Sequence, residues 1–206
     1  MKKDTSASYY EANAEEYIGK TFSLDMSSSR DAFLRLIPAG GYILDVGFGS
    51  GRDSFYFSRA GYRVLGIDVV PSFVRHAREL GIEAKEESVL DIAYESLFDG
   101  AYASASLLHL KENELEEALL RINRSLKAGG ILYSSFKYGV FAGFRDSRYY
   151  LDMTYERMEP ILKKAGFELL SCEMKEDKMG RGNKWIEFLA KRRTSPLGSL
   201  TVRAAS

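Results

Sequence analysis

Between Gly41 and Lys137 short continuous apolar runs alternate with stretches whose apolar residues recur at helical spacing. "GYILDVG" is a run of the first kind. Behind it, "RDSFYFSRAG" sets Phe55, Phe57 and Ala60 ahead of Gly61, the pattern of a short helix closed by a glycine cap. "YRVLGID" predicts a second strand, and Pro71 opens a helix that runs to Leu80 and Gly81. "IEAKEESV" and "GAYASASLLHL" predict a third and a fourth strand. Leu115, Ala118, Leu119, Ile122 and Leu126 share one helix face, and "GGILYSSFKYG" predicts a fifth strand. Strand and helix alternating at this pace predict βαβ units. The fold class is therefore α/β, a doubly wound, mostly parallel sheet with helices on both faces and its ligand at the carboxyl ends of the strands.

After Gly139 the rhythm changes. A helix is predicted from about Tyr155 to Ala165. "GFELLSCEMK" and "KWIEFLAKR", joined by the polar "EDKMGRGN", then predict a C-terminal antiparallel hairpin on the sheet edge. Residues 1–193 are long enough for one domain, and residues 194–206, without periodicity, are expected to form a flexible tail.

Composition narrows the function classes. The formal net charge is zero with 45% hydrophobic residues, an ordinary globular balance without the basic excess that nucleic-acid binding requires. No stretch is apolar enough to span a bilayer, which argues against a membrane partner. The single cysteine, Cys172, excludes an internal disulfide and a cysteine zinc site. The expectation is a cytoplasmic protein with no metal. Its oligomeric state is left open between monomer and homodimer.

The candidate chemistry begins at "ILDVGFGSGRD". Gly47, Gly49 and Gly51 follow a strand and precede a helix, so the backbone can turn tightly and bring N–H groups against a ligand. A dinucleotide fingerprint needs a third glycine where Arg52 stands. Three acids mark the same rim of a parallel sheet: Asp45 before the loop, Asp68 at the end of the second strand and Asp91 after the third. An acid in the second position suits ribose hydroxyls, one after the third strand suits a donor amine, and one beside the loop can face a cation. Each taken singly is equally a solvated loop residue or a helix cap.

Together "ILDVGFGSGRD", "VLGID", "SVLDI" and "LKAGGILYSSF" resemble the motifs of the class I S-adenosylmethionine-dependent methyltransferases, in that family's order, from about Tyr9 to Arg193. "GSGRDSFYF" is similar to the compact bacterial tellurite-resistance-type members. Phe48 departs from them, standing where a small residue is usual. The resemblance implies a Rossmann-like methyltransferase fold with seven strands and S-adenosyl-L-methionine as cofactor. Asp68 is then expected on the ribose, Val69 and Leu90 on the adenine, and Asp91 on its amine. Asp45, Gly47, Gly49, Gly51, Ala105 and Ser106 are expected around the methionine part. N-terminal helices over about residues 8–37 would cover the site, bringing Tyr10 and Tyr17 to it.

Methyl transfer needs alignment and exclusion of water more than an acid–base triad. His109, at the rim after the fourth strand, is a candidate base and equally a satisfied, half-buried histidine. Lys137 and Arg148 lie within "SFKYGVFAGFRDSRYY", a loop-like segment that either closes over an anionic substrate or merely connects. The expected acceptor is a small molecule, anionic or with a soft sulfur or metalloid nucleophile. An RNA- or protein-directed transferase and a non-catalytic S-adenosylmethionine-binding protein are the alternatives.

Overall fold

The structure is a computed structural model and describes residues 5–194. The expected tail therefore lies, beyond Thr194, outside the described residues.

Three short helices come first: α1 (Thr5–Ala12), α2 (Ala14–Thr21) and α3 (Ser27–Leu34). The alternating part follows as β1 (Tyr42–Val46), α4 (Arg52–Arg59), β2 (Arg63–Asp68), α5 (Pro71–Glu79), β3 (Glu83–Glu86) and β4 (Phe98–Ala103). A 3-10 turn at Leu107–His109 leads to α6 (Glu112–Ser125) and β5 (Leu126–Lys137). The remainder is β6 (Ala142–Arg145), β7 (Arg148–Leu151), α7 (Tyr155–Lys164), β8 (Phe167–Glu176) and β9 (Lys184–Arg192). Pro71 supplies the first turn of α5, where its missing N–H costs nothing. The Glu114 carboxylate accepts the Lys111 N–H at 2.8 Å and starts α6.

Seven strands form one sheet in the order β3-β2-β1-β4-β5-β9-β8, parallel from β3 to β5 and antiparallel at β9 and β8. The sequence-predicted doubly wound, mostly parallel sheet with a C-terminal hairpin is the observed one. β1, β2 and β4 are buried on both faces, which is why they read as continuous apolar runs. One face packs on α6 and α7 through Leu115, Leu119, Ile122 and Leu162. The other packs on α3 and α4 through Phe33 and Phe57, against Tyr102 and Tyr133, whose rings stack at 4.3 Å. Burying each of these large side chains stabilises the fold by about 1.5–3 kcal/mol.

The segment expected as a loop over residues 137–150 contains the antiparallel pair β6–β7 instead. Its four-residue strands are too short for a period-2 pattern to show. Asp146, in the left-handed region at φ 55°, makes the turn between them. The hairpin does not stand free, because the Ser6 hydroxyl of α1 accepts the Tyr149 N–H at 3.1 Å.

Candidate functional site

Two cavities open at the carboxyl ends of the parallel strands, where the topology places a ligand. The larger, about 590 Å³, lies beside the glycine loop and over the end of β2. Its size is in the range of about 300–1,000 Å³ usual for small-molecule sites. Its walls are mainly apolar, from Ile67, Val69, Val70, Phe73, Val89 and Leu90, with Asp68, Glu87 and Ser88 among the polar residues. The smaller, about 200 Å³, lies between α3, β5, β7 and the β8–β9 turn. Tyr10, Tyr17, Gly47, Ala105 and His109 line both, so the two spaces share a wall.

The loop between them has to be glycine at two points. A side chain on Gly47, at φ 66°, would put its Cβ 2.5 Å from the Cβ of Ser106. A Cβ on Gly49, at φ 57°, would stand 3.1 Å from the Tyr17 ring. Gly51 stands apart from both cavities and starts α4 in the left-handed conformation. Phe48 lies outside the larger cavity and borders the smaller one. Its ring lies over Gly66 of β2, where an added Cβ would meet it at 2.6 Å, and it joins a buried cluster with Phe73, Val74 and Ile82. The bulk of Phe48 is accommodated by that glycine in "VLGID".

Asp68 is 7% exposed and accepts the Gly49 N–H at 2.9 Å and the Val70 N–H at 3.0 Å. Burial pushes its carboxyl up to about 6 against the pull of those N–H groups, so it is ionised at neutral pH. Asp45 turns into the smaller cavity's side of the loop, buried, with the Ser54 hydroxyl donating to it at 2.6 Å. Burial and the neighbouring Asp53 charge push it up to about 8. Asp53 is held in turn by Arg52, at 3.0 and 2.5 Å, and by Arg30 at 3.4 Å. Asp91 is exposed and outside both cavities, whereas Ser88, three residues earlier, lines the larger one. Ala105 lies at φ 52°, a conformation strained for a residue with a side chain, with its N–H donating to the Ser135 hydroxyl at 2.9 Å.

His109 is engaged at both nitrogens. Nδ1 lies 2.7 Å from the Tyr149 carbonyl, which can only accept, so Nδ1 carries the proton. Nε2 lies 2.9 Å from the Tyr10 hydroxyl, which donates to it in that tautomer. A substrate proton reaches this nitrogen only when Tyr10 gives way. His76, by contrast, packs edge-on against Phe22 on α5, remote from the site.

Lys137 and Arg148 meet in the smaller cavity around one ring. The Lys137 ammonium lies 4.3 Å from the Tyr150 centroid, and the Arg148 guanidinium lies 5.4 Å from it and 4.3 Å from that of Tyr9. Neither makes an ion pair among the described residues. Their neighbours do: Arg145 with Asp152 and Arg181 with Asp177. Burial and the surrounding arginines lower the Lys137 ammonium from its ordinary value. Sequence reasoning did not find Ser29, Ser135 or Glu187 of this cavity. The signal for Glu187 was an acid between Ile186 and Phe188 in an apolar run.

Residues 43–130 match the family described as methyltransferase domain. A ubiquinone biosynthesis O-methyltransferase of Xanthomonas axonopodis pv. citri is 36% identical over 110 residues, 49% of this chain and 45% of that protein. The chain spans less than half the length of the curated relatives it matches. Among solved structures, the 1,6-didemethyltoxoflavin-N1-methyltransferase of Burkholderia thailandensis, with S-adenosylhomocysteine and its substrate bound, superposes at TM-score 0.75 and 23% identity, covering 91% of this chain and 87% of that one. A TehB-like methyltransferase of Corynebacterium glutamicum gives TM-score 0.71 and 22% identity over 88% and 99%.

Proposed function

We propose that this chain, which carries a class I methyltransferase domain on a Rossmann-like methyltransferase fold, transfers the methyl group of S-adenosylmethionine to a small acceptor bearing an anionic group. The observation that carries this reading is the pair of cavities with a common wall. One suits a nucleoside, and the other holds Lys137 and Arg148, which make no ion pair among the described residues. The sulfonium cofactor supplies an activated methyl group.

The residues fit it. Asp68, ionised and at the end of β2, accepts hydrogen bonds from paired ribose hydroxyls. Val69, Val70 and Leu90 offer flat apolar contact to a base, with Ser88 and Glu87 at its polar edge. Gly47 and Gly49 let the backbone approach a chain that continues toward Ala105. Tyr10 and Tyr17 roof the junction and exclude water from it.

On the acceptor side, Lys137 and Arg148 bind a carboxylate or oxyanion and so align the nucleophile with the common wall. The likeness to the TehB-like structure supports the compact small-molecule type of transferase, and the soft sulfur or metalloid nucleophile remains within this reading. No base is needed for a nucleophile that is already a thiolate or a ring nitrogen with a lone pair.

The test is calorimetric titration of the folded protein with S-adenosylmethionine. It is followed by labelled-methyl transfer to a panel of small aromatic acids, thiols, oxyanions and RNA. Binding, with transfer to small acids that is weakened in Lys137→Met, is the expected result. Absence of binding overturns the proposal.

A further inference from the structure

Glu187 is a buried acid of the acceptor cavity that makes no ion pair among the described residues. It sits in the middle of β9, opposite Ser135 of β5, and is 9% exposed. The Ser29 hydroxyl of α3 donates to its Oε1 at 2.7 Å. Lys175, a cation that acts on it, is bound instead to Glu173 at 2.7 Å. The Tyr133 hydroxyl lies close enough to pull its carboxyl down yet completes no hydrogen bond of good geometry. Burial is the stronger influence and raises it.

A carboxylate has room for about four hydrogen bonds, so one donated by Ser29 leaves most of that capacity open. A buried acid in this state is costly unless something in the cavity satisfies it. The same cavity wall holds the complementary problem. Lys137 pairs across the sheet with Trp185, and Ser135 with Glu187. Lys137 and Glu187 are thus diagonal neighbours on one face, with backbones about 7–8 Å apart. They do not pair, because Lys137 reaches up to the Tyr150 ring.

We propose that Glu187 is the specificity-determining residue of the acceptor cavity, accepting a hydrogen bond from an N–H or O–H of the acceptor whose anionic group is held by Lys137 and Arg148. The acceptor class is then a planar acid carrying a hydroxyl or amino group about one ring's width from its charge. The flat walls come from Tyr10, Tyr17, Tyr150 and Trp185. An acid without that donor leaves Glu187 unsatisfied and is discriminated against, as polar sites reject analogues that lack the matching group. This inference rests on the acceptor reading given above.

Trp185 is the single tryptophan of the chain and lines the cavity, so its indole N–H resonance reports occupancy there. S-adenosylhomocysteine binding is measured first by calorimetry; its absence overturns the methyl-transfer reading itself. The loaded protein is then titrated with benzoate, 3-hydroxybenzoate, 4-hydroxybenzoate and 3-aminobenzoate. The expected result is a Kd for at least one substituted acid roughly tenfold or more below that for benzoate, as a hydrogen bond to a buried charge implies. Glu187→Leu, which has no acceptor, with unfolding and S-adenosylhomocysteine binding checked, removes that preference without weakening benzoate. Lys137→Met weakens all four acids together. Equal affinity for benzoate and every substituted acid, or a preference that survives in Glu187→Leu, overturns the proposal while leaving the cofactor result standing.

Discussion

Asp68 and Phe48 show what one position decides. Under the proposed function Asp68→Ala deletes the acceptor for ribose hydroxyls and should weaken S-adenosylmethionine binding by about 1.5–3 kcal/mol, read as a rise in calorimetric Kd. Phe48→Ala should act differently. It empties the space over Gly66 without touching the larger cavity, costing about 3–5 kcal/mol in denaturant unfolding. The chain's local pattern exposed the glycine loop and Asp68 because a strand end followed by glycines has few other uses. It did not expose where Phe48 goes, because the vacancy that receives it lies on the next strand. Nor did it separate Asp91 from Ser88, since three residues of a turn change which side chain faces inward. Glu187 was hidden for a related reason. β9 becomes an interior strand only when β8 pairs beyond it, and no local pattern states that.

At the scale of elements, α1 is fixed by polar contacts, Ser6 on Tyr149, Tyr10 on His109 and the Glu11 carboxylate accepting the Ser72 N–H at 3.0 Å, together with packing of the Tyr10 ring on Tyr17 and Phe73. Tyr10→Phe keeps the ring packing and removes the hydroxyl that satisfies His109 Nε2. Amide hydrogen exchange should then quicken across α1 and β7 while the sheet strands keep their protection. Exchange unchanged in α1 would mean that the helix is held by packing alone. The strands from β1 to β5 and helices α4 to α7 were legible from apolar runs and helical spacing, except that the fourth strand ends at Ala103 and the Leu107–His109 part of its apolar run is a 3-10 turn. The β6–β7 hairpin was not, since its stability comes from docking on α1 and the 3-10 turn rather than from its sequence.

For the whole molecule, the buried acids set a pH dependence. Asp45 and Asp68 titrate near about 8 and about 6 in the fold and at 3.8 ordinarily. Between those values the folded state holds protons that the unfolded chain has lost, so stability falls as pH rises from about 4 to about 8. Thermal unfolding of the ligand-free protein should show Tm decreasing from pH 5 to pH 8. Asp45→Asn, which can still accept from Ser54, should flatten that fall by about 2–4 °C for each kcal/mol of ionisation cost removed. A slope identical to wild type would show that Asp45 ionises in the fold as freely as in solution. The parallel sheet was readable from alternation alone, but the placement of β9 between β5 and β8 depends on partners distant in the chain. The same separation governs the cavity roof. Tyr10 meets His109 across 99 positions and Ser6 meets Tyr149 across 143. Closing loops of that length is slow, so the roof is assembled after the strands have paired. During synthesis its first helix has to wait for β7 to emerge, and for that interval the open sheet rim, not the finished cavity, is what a small molecule meets.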